Sequence, residues 1–426
     1  MSASGGSGGE PALPSVATPA GRGEFRRLAL SFSYFALLLA SYYMIRPLRD
    51  AFGAGSGAAT IKFLASAVFV VMLVIVPLFG WLVARVPRAR LLPLTYAFFV
   101  TNLVGFAIAF HLDAENAWTG RLFYVWATVF NLFVVSVFWS FMAEIWREAE
   151  GRRLFGVIAA GGSLGGLVGP LLTRALVGSV GTTGVALIAA ALLASTIVAI
   201  VLLTRGTATA APGAASLDEP VGGAIFAGLS RLAATPFLLG IAALVGLGSL
   251  LGMIVYIELA RVAGSLYATA AERAAFYAGR DAWVNGASLA LQLAVGLVTG
   301  ALGVRATLTG AAAAVAASFV ALAAAPVAGV LLVVNVIARA LEFGIAKPSR
   351  DMLYTVLDAE TKYKVKNVID TVVYRGTDVL SGWIHAGLVA AGATLGMLAG
   401  LSAMLAVVLA VIAWVVGSGY RRRGGA

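Results

Sequence analysis

The sequence predicts an all-α polytopic membrane protein of twelve transmembrane helices arranged as two six-helix halves. Three observations carry this. Of 426 residues, 61% are hydrophobic and only 12% are charged, about half the charged share of a soluble domain. Apolar runs of about 18 residues or more, long enough for a helix to cross a bilayer, recur from Leu28 to Val416. Midway, a polar stretch from Arg205 to Arg231 containing Asp218-Glu219-Pro220 interrupts them, as a linker between two bundles does.

Taken in order, residues 1–27 are a Gly-, Ser-, Ala- and Pro-rich tail expected to be disordered. The apolar run after Arg26-Arg27 is too long for a signal-peptide core. Predicted spans are 28–46, 60–84, 91–111, 119–143, 154–177 and 182–204, forming the first half, 28–204. A linker, 205–235, leads to 236–260, 279–302, 305–324, 327–346, 367–391 and 393–418, forming the second half, 236–418. Residues 419–426 are a basic tail. Loops on the side of the termini hold more than twice the Lys and Arg of those on the other side, so both termini are expected in the cytoplasm.

The same bias accounts for the net charge of +11, so no nucleic-acid partner is expected. There is no cysteine, hence no disulfide and no thiolate chemistry. His111 and His385 stand far apart in the sequence, and neither a Walker pattern nor H-E-x-x-H occurs. No metal or cofactor is expected. No nucleophile–base pair marks an enzyme.

Charges at span ends are the informative ones. Tyr42-Tyr43-Met44-Ile45-Arg46-Pro47-Leu48-Arg49-Asp50 closes the first span. Two guanidinium groups there are costly unless paired or hydrated, and the planar fork suits phosphate or carboxylate. Snorkelling to the interface would satisfy them equally. Comparable places in the second half carry Glu258 and Arg261, then Arg280 and Asp281. Glu144 ends the fourth span as Glu342, Lys347 and Arg350 end the tenth. Such pairing fits parallel repeats with a solute path between them. Glu144, Glu258, Asp281, Glu342, Asp370 and Asp378 are candidate coupling acids, or simply charge partners of bases such as Arg375. The glycines of Gly161–Gly169 are expected to pack helices that move against each other. Trp118, Trp126, Trp139, Trp146, Trp283 and Trp383 are expected in an interfacial belt, with Tyr42 and Tyr43 beside Arg46.

Six spans, a linker and six spans, with the loop Gly80-Trp-Leu-Val-Ala-Arg85-Val-Pro-Arg88-Ala-Arg90, resemble the major facilitator superfamily. Four stretches resemble its nucleotide transporter members, the ATP/ADP translocases and shorter bacterial relatives. Tyr42–Asp50 is similar to that family's Tyr-x-x-x-Arg-x-x-Lys-Asp, and Glu150-Gly-Arg-Arg-Leu-Phe155 to its Glu-Ala-Lys-Arg-Phe-Tyr. Ile257-Glu258 and Phe276–Gly279 flank the loop after span 7 as in the family. Ala346-Lys-Pro-Ser-Arg350-Asp-Met-Leu-Tyr354 through Lys366 to Asp370 follows its Asp-Pro-x-Lys-Glu-Met-Ala-Tyr segment. Lys347, Arg350 and Arg49 stand where the family has Asp, Lys and Lys.

The resemblance implies alternating access for an anionic solute such as a nucleotide or phosphorylated metabolite, in a bacterial inner (cytoplasmic) membrane and as a monomer. It places Arg49, Glu150, Glu258 and Lys366 at transport-linked positions. Arg46, Arg49, Arg261 and Arg280 are expected to take phosphate from the outer side, and Arg153, Lys347, Arg350 and Lys366 from the inner side. Glu258 and Asp281 would position them or carry a proton, with Asp50 as a coupling or charge-pairing residue. The alternatives are a proton-coupled carrier of an unrelated solute, or a lipid-moving or sensory membrane protein.

Overall fold

The computed structural model describes residues 22–83, 88–146, 148–207, 232, 235–358, 361, 365–366 and 368–424. Eleven α-helices follow one another among them: α1 (Arg22–Gly55), α2 (Ala58–Val83), α3 (Arg88–Leu112), α4 (Ala117–Ile145), α5 (Glu148–Thr207), α6 (Pro236–Leu266), α7 (Ala270–Ala324), α8 (Ala328–Leu341), α9 (Lys347–Met352), α10 (Tyr374–Ala390) and α11 (Leu395–Arg422). A π-turn, Glu342–Ala346, joins α8 to α9, and another, Ile369–Val373, leads into α10. Nine stretches among the described residues are long and apolar enough to cross a membrane.

Local chemistry sets the starts. Asn116 caps α4 by accepting from the Trp118 and Thr119 amides. Thr269 and Glu272 form a capping box on α7. Pro236 opens α6, where its missing N–H costs nothing. Pro348 follows the first π-turn. A proline has no N–H for the carbonyl one turn back and crowds it, and a widened turn relieves that clash.

Two of the nine stretches are too long for one crossing, and each breaks at a glycine with positive φ: Gly181 at 65° in α5 and Gly303 at 77° in α7. The chain doubles back at both. Gly165 meets Ala36 and Ala40 of α1, while Ala189 accepts a hydrogen bond from Ser41, one residue further along α1. A straight helix would separate Gly165 from Ala189 by about 36 Å. Likewise Arg280 binds Asn335 while Phe319 lies beside Leu331, although a straight α7 would put Arg280 about 58 Å from Phe319. The predicted boundaries 177/182 and 302/305 bracket or adjoin these glycines. The predicted count of twelve rests on taking α5 and α7 as pairs and Ile369–Ala390 as one more crossing.

Two expectations change. Residues 22–27 of the predicted tail are the first turns of α1, not coil; Arg27 lies 4.1 Å over the Trp146 ring and 3.0 Å from Glu150, which fixes them. The basic tail continues α11 as far as Arg422. The glycine stripe packs on both sides: a side chain at Gly161, Gly165 or Gly169 would strike the α1 carbonyls of Phe32, Ala36 or Ala40, while the Gly166 carbonyl accepts from Asn285 of α7 at 2.6 Å. Residues 1–21, the loop 84–87 and linker residues 208–231 lie outside the described residues.

The aromatic belt is partly an aromatic core. Trp118 and Trp283 are exposed at helix ends, but Trp126 stacks on Phe130 with ring centres 5.2 Å apart, and Trp146 is buried beneath Arg27. Around this, Val70, Leu73, Leu293, Leu297 and Val411 face outward, a surface suited to lipid.

α1–α5 and α6–α11 meet at the end of the molecule remote from the described termini. There, the Glu115 carboxylate between α3 and α4 bonds Arg273 at 2.6 Å and accepts from the Ala270 amide. Arg273 Nε also donates to the Ala51 carbonyl at 3.2 Å. A side chain at Gly264 would press on the Ala54 carbonyl, and Trp383 Nε1 donates to Ser66 at 3.3 Å. At the terminal end, the described ion pairs stay within one set: Arg27–Glu150, Arg153–Glu24, Arg350–Glu342 and Lys366–Asp351.

Candidate functional site

Just inside the closed end, α1 and α7 bring five charges together. Asp50 is fully buried. Its Oδ1 accepts from Arg49 Nη2 at 2.6 Å and from the Tyr256 hydroxyl of α6 at 3.1 Å. Its Oδ2 lies 3.4 Å from Arg280 Nη1 of α7. Arg280 also donates to its neighbour Asp281 at 2.8 Å and, through Nε, to Asn335 of α8 at 2.7 Å. Arg46 Nε lies 3.5 Å from Asp281 Oδ2, just too far for a hydrogen bond, with its guanidinium 5.5 Å from the Tyr43 ring. Arg49 stands 5.5 Å over Tyr124, which contacts the Tyr256 hydroxyl at 3.3 Å.

Three guanidiniums face two carboxylates, leaving one positive charge over. Holding such groups out of water is costly, so the network is weak as a stability device. Two of the pairs, Arg46–Asp281 and Arg280–Asp50, cross between the two sets of helices. Breaking and remaking them therefore accompanies any relative motion of the sets.

The structure joins Arg46, Arg49, Arg280, Asp50 and Asp281 as the charge pattern anticipated. Arg261 is not with them. Its side chain is half exposed and its Nε donates to Glu258 at 3.0 Å; the other Glu258 oxygen lies 2.7 Å from His385 Nε2 of α10. Helical spacing explains it: Glu258 and Arg261 are three apart and share a face, whereas Tyr256 points to Asp50.

The expected inner group is dispersed. Glu150 and Arg153 tie α5 to Arg27 and Glu24 of α1. Lys366 is held by Asp351 at 2.8 Å. Lys347 and Glu144 are exposed. Arg350 is buried and reaches Glu342 at 3.3 Å across the π-turn. Arg375 pairs with Asp378 at 3.5 Å, and Asp378 also accepts from Ser249 of α6, while Asp370 is exposed. Arg350 and Glu342 edge a cleft between α6, the second arm of α7, α8 and α11.

Charge spacing missed Tyr124, Tyr256, Asn335 and the Glu115–Arg273 pair, which are polar groups without a sequence cue to their partners. It also passed over Arg339. A guanidinium inside the apolar run of α8 was a signal in its own right. Among the described residues no cluster of His, Cys, Asp and Glu could hold a metal.

Residues 274–419 match the TLC ATP/ADP transporter family. No curated protein matches the chain in sequence. A bacterial homologue of the iron transporter ferroportin in an inward-facing state is similar in structure at 9% identity and TM-score 0.68, covering 92% of this chain and 99% of that one. A POT family transporter in complex with a thioalcohol-conjugated peptide gives 11% and 0.67, covering 93% and 96%. The nucleoside transporter NupG gives 14% and 0.55, covering 95% and 99%. At these identities the likeness carries the fold. The chain is thus a multi-pass membrane protein that shares the fold of these transporters, and its residues 274–419 match the TLC ATP/ADP transporter family.

Proposed function

We propose that this transporter carries a small anion bearing phosphate, of the nucleotide or phosphorylated-metabolite class, by counter-exchange and alternating access. One observation carries the reading: Arg46, Arg49 and Arg280 outnumber Asp50 and Asp281 in a buried network that spans both sets of helices. An anion entering it exchanges carboxylate partners for phosphate oxygens, a substitution guanidinium forks accept at two points. Residues 28–204 then rock against 236–418, with 205–235 as the tether. Glu258, Arg261, Arg153, Lys347, Arg350 and Lys366 guide the solute or steady the bundles on its path. With both termini in the cytoplasm of a bacterial inner membrane, the contacts at the remote end close the outer side. The carrier works as a monomer in the bilayer, without a cofactor.

The test is uptake of labelled ATP and ADP into liposomes holding the purified protein. Uptake that requires nucleotide inside and is lost in Arg49→Ala supports the reading; uptake of neither nucleotides nor sugar phosphates sinks it. A second reading, proton-coupled import, draws on the buried Glu258–His385 pair. It requires uptake driven by a pH gradient into empty vesicles and abolished by Glu258→Gln.

A further inference from the structure

Arg339 is the odd charge of the second half. Its Nε is buried without a hydrogen-bond partner. Among the described residues, Arg46, Arg49, Arg280, Arg350 and Arg375 each have a carboxylate within 4 Å; no such pair is found for Arg339. It sits one helical turn from Asn335, the residue that orients Arg280, so α8 presents both on one face. Its guanidinium lies flat against Gly252 of α6: a side-chain carbon there would be 3.5 Å from the guanidinium carbon. One turn further along α6, Tyr256 binds Asp50. Arg339 thus stands one turn beyond the central network on two helices at once, toward the terminal end. It lines the cleft that Arg350 and Glu342 edge, together with Gly248, Leu251 and Gly252, its remaining walls being mostly apolar.

An unpaired guanidinium inside a membrane bundle is retained at a cost unless something pairs with it. The geometry points to that partner: we propose that Arg339 receives the anionic group of the solute on the terminal side of the Arg46–Arg280 network, and that the cleft beside Gly252 takes the solute's apolar portion. The solute is then an amphiphilic anion, a phosphate or carboxylate joined to a flat or apolar group, rather than inorganic phosphate alone. This rests on the anion-carrier reading above and adds a residue and an apolar wall to it.

The experiment measures binding of ADP and of inorganic phosphate to the purified full-length protein by thermal shift and calorimetry. Four proteins are compared: wild type, Arg339→Gln, Arg339→Lys and Gly252→Leu. Arg339→Gln should weaken ADP by about tenfold or more, since a charge-assisted contact is lost, and Arg339→Lys by less. Without ligand, Arg339→Gln should melt close to wild type, because Arg339 has no ion pair within 4 Å to lose and acts on Asp378 only at longer range. Gly252→Leu should lose ADP and keep phosphate. If Arg339→Gln binds ADP as wild type does, or melts lower with unchanged affinity, Arg339 is structural and this assignment fails while the anion reading stands. If wild type binds neither probe at millimolar level, the anion reading falls and the assignment with it.

Discussion

The two ends of this molecule hold charges in opposite ways. At the end remote from the termini, Glu115–Arg273 and Asp50–Arg280 join one set of helices to the other. At the terminal end, Arg27–Glu150, Arg153–Glu24 and Lys366–Asp351 join helices within a set. The first kind must break when the halves rock; the second must survive it. The difference separates charges that define a conformational state from charges that keep each half rigid through the change.

Fastening the remote end is the severest way to break this comparison. The chain has no cysteine, so Glu115→Cys with Arg273→Cys gives a clean pair for a short thiol cross-linker. Cross-linking should abolish transport in liposomes, and unlinked protein should retain it; full activity after complete cross-linking would mean the remote end never opens. Next in size is Asp50→Asn. It leaves Arg49 and Arg280 short of a buried counter-charge, at about 3–5 kcal/mol. Chemical denaturation should show that loss, and transport should fall below detection.

Crowding the two seams sharpens the contrast further. Gly165→Val strikes α1 within one set and should cost roughly 1–3 kcal/mol of stability. Gly264→Val strikes Ala54 across the sets; it should leave each bundle intact and raise labelling of a cysteine at Ser56 from the remote side. Equal stability losses in both would erase the distinction. The smallest effect is expected from Glu24→Ala. Its partner Arg153 is nearly half exposed, so the melting change should correspond to under about 1 kcal/mol, with transport unchanged.

Much of this was legible in the chain. Long apolar runs separated by charge show where helices cross, because lipid admits no other way to satisfy the backbone. Arg46, Arg49, Asp50, Arg280 and Asp281 stood out for the same reason, since charge at a span end needs an explanation. Sequence alone did not show that its spacing to Glu258 turns Arg261 away from Asp50, nor that the glycine stripe meets both α1 and α7.

What the sequence determined by itself is therefore the class of molecule and the charges that matter, because the bilayer penalises each polar residue one at a time. What only the tertiary structure decided is who pairs with whom. Asp50 and Arg280 are 230 residues apart, and nothing local to either names the other. The turns at Gly181 and Gly303, the packing of α1 on α5 and the meeting of α1 with α7 bring them together. The same folding leaves Arg339 without a carboxylate beside Gly252, because pairing is a property of two surfaces in contact rather than of either segment.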